Sequence, residues 1–357
     1  MKTIFITSTY DYCGKTLVAL GLGKRFQNDG YKIGYIKSLG RYPTKVDDRV
    51  VDSDAALMYE VLELNDPLEY VSPAIMTQDT IARAYDGEDL QLQEKILQAH
   101  SKISKDKDIM IVGGPGTFSE GGLLGISARE LVPRLDAQVI VVGNCEREVF
   151  IDDMLMIKDI LKDRIAGIVI NQVEFPKLDY IQRRVAPFMA KNGLNLLGVL
   201  LSDPVLMSVS VRELAEILGG EVLCCEDRLD DLVERFSVGA MNVEGALKYF
   251  RKVRSKAVIT GGDRPDIQLA ALETDTRCLI LTGNLYPNDI IISRAEERKV
   301  PIMVVQRDTL TIVQQVEDIM TRLRIRDKRK IDRAIQLIDE ELNFPLLYES
   351  LQIVKSS

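Results

Sequence analysis

Short apolar runs rich in Ile and Val recur along the first two hundred residues, and stretches with a helical spacing of apolar positions separate them. Runs of this kind are typical of strands buried on both faces. The pattern therefore predicts an α/β fold with a parallel sheet covered by helices on both sides. The predicted strands span residues 3–7, 32–36, 109–112, 138–142, 166–170 and 196–200.

Asp203-Pro204 ends the first pattern, and a predicted helix at 209–218, a short apolar run at 221–225 and a predicted acidic helix at 227–235 follow it. A second α/β pattern begins at Val238, with predicted strands at 256–260, 278–281 and 302–305 and predicted helices at 243–250, 265–273, 287–298 and 309–322. No repeat or low-complexity linker separates the two patterns. We therefore expect domains at 1–205 and 206–323, followed by a helical tail at 324–357. Its apolar residues either dock back onto the protein, which we favour, or pair with another chain.

Composition narrows the class of protein. The 357 residues carry a net charge of −8, which argues against nucleic acid as a partner. Five cysteines without a CxxC pair indicate a reducing compartment and no zinc site, and a single histidine makes a Ser-His-Asp mechanism improbable. No apolar run approaches the ~20 residues that span a bilayer. We expect a cytoplasmic protein without a membrane partner.

The segment 8–17 carries the strongest functional signal. It joins the first predicted strand to a helical pattern and contains Gly14-Lys15-Thr16. Strand, loop, Gly-Lys-Thr and helix form the layout of a phosphate-binding P-loop, where main-chain N–H groups and the helix dipole attract an anion. Lys15 would reach the terminal phosphates and Thr16 would coordinate Mg²⁺. Thr9 stands where this motif usually has its first glycine, and the alternative is a capped loop with an incidental Gly-Lys-Thr.

Two charged residues near the second predicted strand are further candidates. Lys37 ends that strand, and strand ends in this fold face the ligand edge, although a surface lysine is the simpler interpretation. Asp54 lies at a predicted helix start, in Asp52-Ser53-Asp54. Its carboxylate offers oxygen to Mg²⁺, but its position alone favours a helix cap.

Two polar or glycine-rich turns follow later strands. Gly113-Gly114-Pro115-Gly116 is either a ligand-lining loop or a plain turn, and no carboxylate ends the strand before it, where P-loop enzymes usually hold Mg²⁺. Asn171 follows the strand at 166–170, where its amide suits a purine edge or a turn.

Together these segments resemble the dethiobiotin synthetase family and the N-terminal region of long bacterial phosphotransacetylases, over roughly residues 1–205. That family's loop also has threonine at the position of Thr9. The resemblance implies ATP and Mg²⁺ as cofactors and Lys15 and Lys37 as catalytic residues. It implies metal ligands at Thr16 and Asp54, and nucleotide contacts at Thr9, Cys13, Gly14, Lys15, Thr16, Leu17 and Asn171. The chain departs from the family at Gly113, where the family has a glutamate.

Residues 206–323 resemble the DRTGG domain that follows this region in phosphotransacetylases and is regulatory there. Within it, the turn before Pro265 offers Arg264 either as an anion clamp or as a structural partner of Asp263. The phosphotransacetylase catalytic domain has no counterpart in the sequence, so we do not expect acetyl transfer.

Three functions fit these features. The favoured hypothesis is a regulator that responds to ATP or a related nucleotide and to a small metabolite, working as a homodimer or homo-oligomer. The alternative is an ATP-dependent enzyme that activates a carboxylate or carbamate. A ParA-like switch dimer ranks last, because its extra lysine early in the loop is replaced here by Ser8, Thr9 and Tyr10.

Overall fold

The computed structural model of the chain describes residues 1–321, 325 and 327–353. The chain divides into two compact units: Met1–Ser202 forms the first together with the C-terminal helices, and the second begins at Asp203. The predicted domain boundary between residues 323 and 324, and the predicted helix end at 322, lie outside the described residues.

The first unit is built on a parallel sheet. Its strands are β1 (Lys2–Ser8), β2 (Ile33–Lys37), β3 (Pro43–Val46), β4 (Arg49–Asp52), β5 (Ile109–Gly113), β6 (Gln138–Gly143), β7 (Ile165–Val173) and β8 (Leu196–Leu201). Six of them form one sheet in the order β2-β5-β1-β6-β7-β8, and every pairing in it is parallel. The remaining two, β3 and β4, form an antiparallel hairpin that the sequence did not predict.

Helices cover both faces of this sheet. They are α1 (Lys15–Asn28), α2 (Ser53–Val61), α3 (Leu68–Val71), α4 (Gln78–Tyr85), α5 (Leu92–Ile103), α6 (Ala128–Arg134), α7 (Ile151–Leu161), α8 (Leu178–Tyr180) and α9 (Ala186–Lys191). All residues of β2 and β5 are buried, as expected for strands enclosed on both sides. The predicted α/β class is confirmed.

The second unit has its own sheet and core. Its strands are β9 (Val209–Ser210), β10 (Glu221–Cys224), β11 (Leu232–Val233), β12 (Arg235–Val238), β13 (Lys256–Gly261), β14 (Thr276–Thr282) and β15 (Ile302–Val304). Its helices are α10 (Val211–Leu218), α11 (Val243–Phe250), α12 (Pro265–Leu272), α13 (Asp289–Arg298) and α14 (Thr309–Thr321). The main sheet has the order β10-β15-β14-β13-β12, with only the β10 edge antiparallel.

The predicted helix at 227–235 is wrong. The structure has β11 and the start of β12 there, with Leu232 paired to Ser210 and Arg235 paired to Lys256. Both partner strands lie about twenty residues away in sequence, so the pairing that overrides the local helical pattern is not visible in the segment itself.

The tail forms α15 (Lys328–Glu341) and α16 (Phe344–Leu351), which pack on the first unit. α15 lies so close to α1 that a Cβ added at Gly21 would stand 2.3 Å from Ile338. The tail also reaches the sheet edge, where the main-chain N–H of Asn343 donates to the carbonyl of Leu197 over 2.7 Å. The tail thus covers part of the open edge of β8.

None of the helices among the described residues combines the length and the apolar character that a bilayer crossing requires.

Candidate functional site

The loop between β1 and α1 exposes a helix N-terminus that no described side chain caps. Gly14 adopts φ +97°, a left-handed conformation that glycine tolerates, and α1 begins at the next residue. Val18 N–H donates to the carbonyl of Gly14, so the N–H groups before it have no intrahelical partner. The first turn of α1 contains no acidic residue. These main-chain donors and the helix dipole favour an anion at this point.

Lys15 holds an ammonium group whose charge is poorly compensated. Its Nζ donates to the hydroxyl of Ser8 over 2.8 Å and to the carbonyl of Gly116, and both acceptors are uncharged. Burial of the ammonium, followed by repulsion from Lys37, lowers the pKa of Lys15 to about 8. A bound anion would relieve both effects.

The structure brings Lys37 and Asp54 together beside Lys15. Lys37 ends β2 and is 7% exposed, and its Nζ lies 3.1 Å from Oδ2 of Asp54 in the first turn of α2. Lys37 is therefore not a surface lysine. The cap of α2 is Asp52 rather than Asp54, because Oδ1 of Asp52 accepts the N–H groups of Asp54 and Ala55. The carboxylate of Asp54 faces Lys37.

Asp52 has a structural role that the sequence analysis did not assign. It is fully buried, and its second oxygen, Oδ2, accepts the N–H groups of Arg41 and Tyr42 over 2.9 and 3.0 Å. One carboxylate thus fixes the loop after β2 to the start of α2. The Asp-Ser-Asp run was the available signal, since the first of these residues stands at the N-cap position.

Asn171 braces the phosphate loop. Its Nδ2 donates to the carbonyl of Cys13 over 2.9 Å, and a Cβ at Gly14 would lie 2.2 Å from the same nitrogen. The Cys13 thiol is buried, and burial raises its pKa, so it has the character of a packing residue. The adenine contact expected of Asn171 stays a prediction.

The other predicted contact residues lie along the same loop. The main-chain N–H of Thr9 donates to the carbonyl of Val142 over 3.1 Å, which ties the loop to β6. Thr16 is half-buried in the first turn of α1, next to Lys15. The Leu17 side chain is buried in the core, so any contact it makes with a ligand must come from its main chain.

The two tyrosines of the loop bond to neighbouring segments. The Tyr10 hydroxyl bonds to Oδ2 of Asp153 on α7 at 2.5 Å and accepts from Arg147. The Tyr12 hydroxyl pairs with the hydroxyl of Tyr42. These contacts hold the loop from two sides, and neither uses the main-chain donors at the start of α1.

An arginine not selected from the sequence links three loops near Lys15. Nη1 of Arg41 lies 2.6 Å from Oδ1 of Asp11, and its Nε lies 3.3 Å from Oε1 of Glu120. A Cβ at Gly116 would touch all three side chains. Glu120, the acid nearest to the glycine-rich loop in sequence, is thus engaged by an arginine.

Gly113 leaves space that Tyr35 fills. Gly113 pairs with Lys37 across the sheet, and a Cβ added to it would lie 2.4 Å from the Tyr35 hydroxyl oxygen. No side chain fits there while Tyr35 keeps its position. The sequence analysis did not select Tyr35. The available signal was strand alternation, which places Tyr35 on the same face of β2 as Lys37.

The oxygen donors available for Mg²⁺ are few. Among the described residues, no group of three or more His, Cys, Asp or Glu side chains is arranged to hold a metal ion. The Thr16 hydroxyl and the Asp54 carboxylate remain as donors. This small set suits Mg²⁺, which proteins usually hold through one or two carboxylates together with substrate phosphates.

In the second unit, Arg264 does not pair with Asp263, the partner that the sequence suggested. Its Nε and Nη2 each lie 3.0 Å from a carboxylate oxygen of Asp266, and Nη2 also donates to the carbonyl of Met241. Its ion-pair partner is thus Asp266 rather than Asp263.

The parallel sheet, the loop between its first strand and first helix, and the lysine at the helix start define the class of the first unit, a P-loop α/β domain. A family model described as an AAA domain matches residues 2–227, and one described as a DRTGG domain matches residues 213–319. The first match covers more than half of the residues, so the chain belongs to this AAA domain family, with a DRTGG domain after it.

Full-length relatives confirm the resemblance to phosphotransacetylases. The chain is 22% identical to the phosphate acetyltransferase of Synechocystis sp. and 25% identical to that of Nitratidesulfovibrio vulgaris, over 99% and 100% of its own length. In both cases it spans about half of the relative, namely 52%. A cobyric acid synthase of Clostridium perfringens is 27% identical over 48% of the chain and 40% of that protein.

Solved structures match the chain with low TM-scores. The MinD cell division protein of Aquifex aeolicus has a TM-score of 0.36 at 16% identity and covers 58% of the chain and 84% of its own. The CBS and DRTGG domains of the regulatory region of a Clostridium perfringens pyrophosphatase, complexed with diadenosine tetraphosphate, have a TM-score of 0.29 at 20% identity. They cover 43% of this chain and 72% of their own.

Proposed function

We propose that the first unit binds ATP or a related nucleotide with Mg²⁺, and that the protein is a regulator whose DRTGG domain responds to a small metabolite. The observation that carries the proposal is the uncapped start of α1, where Lys15 has only uncharged acceptors. A helix N-terminus beside an under-compensated ammonium group attracts phosphate strongly.

Each residue of the candidate site has a proposed role in holding the nucleotide or Mg²⁺. The main-chain N–H groups at the start of α1 and the ammonium group of Lys15 would hold the phosphates. Thr16 and Asp54 would hold Mg²⁺, which, when bound, offsets phosphate charge. Lys37 would add a second positive charge beside them, and Asn171 would contact the base while it braces the loop. A homodimeric or homo-oligomeric state stays a prediction.

A second candidate is an ATP-dependent enzyme that activates a carboxylate or carbamate. The cluster of Lys15, Lys37 and Asp54 favours it, since positive charge around a transferred phosphoryl group is what such catalysis needs. The glycine at position 113 favours the regulator, because the strand end supplies no carboxylate.

Calorimetry on the full chain tests the binding proposal. ATP, ADP and GTP are titrated with and without Mg²⁺ into wild type, Lys15→Ala and the control Lys24→Ala, which removes a lysine from the same helix outside the loop. We expect wild type and the control to bind nucleotide alike, and Lys15→Ala to bind at least tenfold more weakly. Absence of nucleotide binding in the wild type would overturn the proposal.

Turnover separates the two functions. Wild type and Lys37→Ala are incubated with Mg·ATP and a panel of carboxylic acids and amines, and ADP release is followed. Tight binding without substrate-dependent turnover supports the regulator. Substrate-dependent ADP release that is lost in Lys37→Ala supports the enzyme.

A further inference from the structure

The hydroxyl of Tyr35 belongs to an almost wholly buried side chain and makes no hydrogen bond with a described residue. The Tyr35 side chain is 1% exposed in the centre of β2, and the described residues give its hydroxyl no hydrogen bond. Tyr348, another buried tyrosine, bonds its hydroxyl to Asp29. Because buried polar groups in native proteins are normally bonded, an unpartnered one requires an explanation.

The hydroxyl lies at the edge of the candidate site. It stands 2.4 Å from the position that a Cβ of Gly113 would take, and Cδ of Lys37 lies 3.5 Å from that same position. Tyr35 and Lys37 point to one face of β2, because they are two residues apart on a strand. The partnerless hydroxyl is therefore directed to the strand end where Lys37 meets Asp54.

The phenol is in its protonated form at neutral pH. Burial, and then the negative charges of Asp54 and Asp52, raise the pKa of Tyr35 well above its ordinary value. A protonated phenol donates a hydrogen bond, and beside an ammonium group the acceptor it suits is an anionic oxygen.

We propose that Tyr35 is a ligand-binding residue whose hydroxyl donates a hydrogen bond to an anionic oxygen of the phosphorylated ligand, and that Gly113 is a glycine because this hydroxyl needs the space. The inference rests on the proposed nucleotide site and adds a specific donor to it. A carboxylate at position 113 would make this corner attractive to a metal ion. The tyrosine makes it attractive to an oxyanion.

A purely structural role for Tyr35 predicts a different behaviour. Phenylalanine fills the same volume without an unpaired hydroxyl, so the core gains nothing from the hydroxyl. The Tyr35→Phe variant should therefore be at least as stable as wild type while binding ligand more weakly. A residue that only fills the core would leave the affinity for the ligand unchanged.

The first test compares Tyr35→Phe with wild type by calorimetry with Mg·ATP and by thermal unfolding of the free proteins. We expect roughly tenfold weaker binding, because a hydrogen bond to a charged group has about this effect on a dissociation constant. The unfolding temperature should be equal or higher. Tyr348→Phe, which removes a buried hydroxyl far from the site, should leave the affinity for Mg·ATP within about twofold.

The second test uses Gly113→Ala in both backgrounds. In wild type the added methyl must displace the Tyr35 hydroxyl, so binding should weaken. In Tyr35→Phe the nearest ring carbon lies 3.2 Å from the methyl position, which is tight but tolerable, so little further loss is expected. Equal affinity of Tyr35→Phe and wild type, or additive losses in the double variant, would overturn the proposed role of Tyr35. Either result would leave the proposed nucleotide site intact. If the wild type bound no nucleotide, the proposed function would fail and this inference with it.

Discussion

Nucleotide binding should be coupled to proton uptake by Lys15. Its pKa is lowered to about 8 because its ammonium group is buried and lies near Lys37. A triphosphate placed at the start of α1 compensates both effects and returns the side chain to its charged form. Binding must therefore draw a proton from solution whenever a fraction of Lys15 is neutral.

The size of the effect follows from the pKa. Lys15 is about one-tenth neutral at pH 7, about half neutral at pH 8 and about nine-tenths neutral at pH 9. We expect an uptake of about half a proton per nucleotide at pH 8. The apparent affinity should fall about tenfold between pH 7 and pH 9, which corresponds to about 1.4 kcal/mol.

The stability of the free protein should change in the opposite direction. A lysine whose pKa is lowered by folding binds more protons in the unfolded chain between about pH 8 and 10.5. The Lys15 contribution to the free energy of unfolding therefore rises with pH over this interval. As the pH rises, Lys15 thus lowers the apparent affinity for nucleotide and raises the free energy of unfolding.

The assay is calorimetry with Mg·ATP at pH 8 in buffers of different ionisation enthalpy, where the slope of observed heat against that enthalpy counts protons. Lys15→Arg is the control, since arginine stays charged throughout this range, and it should show no uptake from this position. Wild-type binding without proton uptake at pH 8, and with equal affinity at pH 7 and pH 9, would refute the reasoning.

Two further predictions concern the framework of the site. Asp52→Ala removes the acceptor of two main-chain N–H groups at the start of α2 and of two more in the loop after β2, so the free energy of unfolding in urea should fall by about 2–4 kcal/mol. A fall below about 1 kcal/mol would contradict this role. Gly21→Ala should destabilise the protein by about 1–3 kcal/mol despite the better helix propensity of alanine, because its methyl meets Ile338 at 2.3 Å. Gly122→Ala, where the methyl meets nothing within 4 Å, is its control, and equal urea midpoints for both variants would show that α15 does not pack tightly on α1.

The local sequence determined the elements that depend on neighbouring residues. The apolar runs gave the strands of the first sheet, because burial on both faces requires uninterrupted apolar residues. The order of strand, loop, Gly14-Lys15-Thr16 and helix indicated the phosphate loop, because a left-handed glycine before a helix start is a local requirement. The position of Lys37 at a strand end also followed from local pattern.

Tertiary structure alone decided the features that depend on distant partners. Leu232, Val233 and Arg235 became strand residues because β9 and β13 offered hydrogen-bond partners, although the local pattern predicted a helix at 227–235. The fit of Tyr35 against Gly113 and the closeness of α15 to α1 each join segments far apart in the chain. A local pattern records the preference of a segment for helix or strand. Packing decides which atoms fill a given space and whether a buried hydroxyl finds an acceptor. It brings together segments whose distance in the folded protein cannot be inferred from their order in the chain.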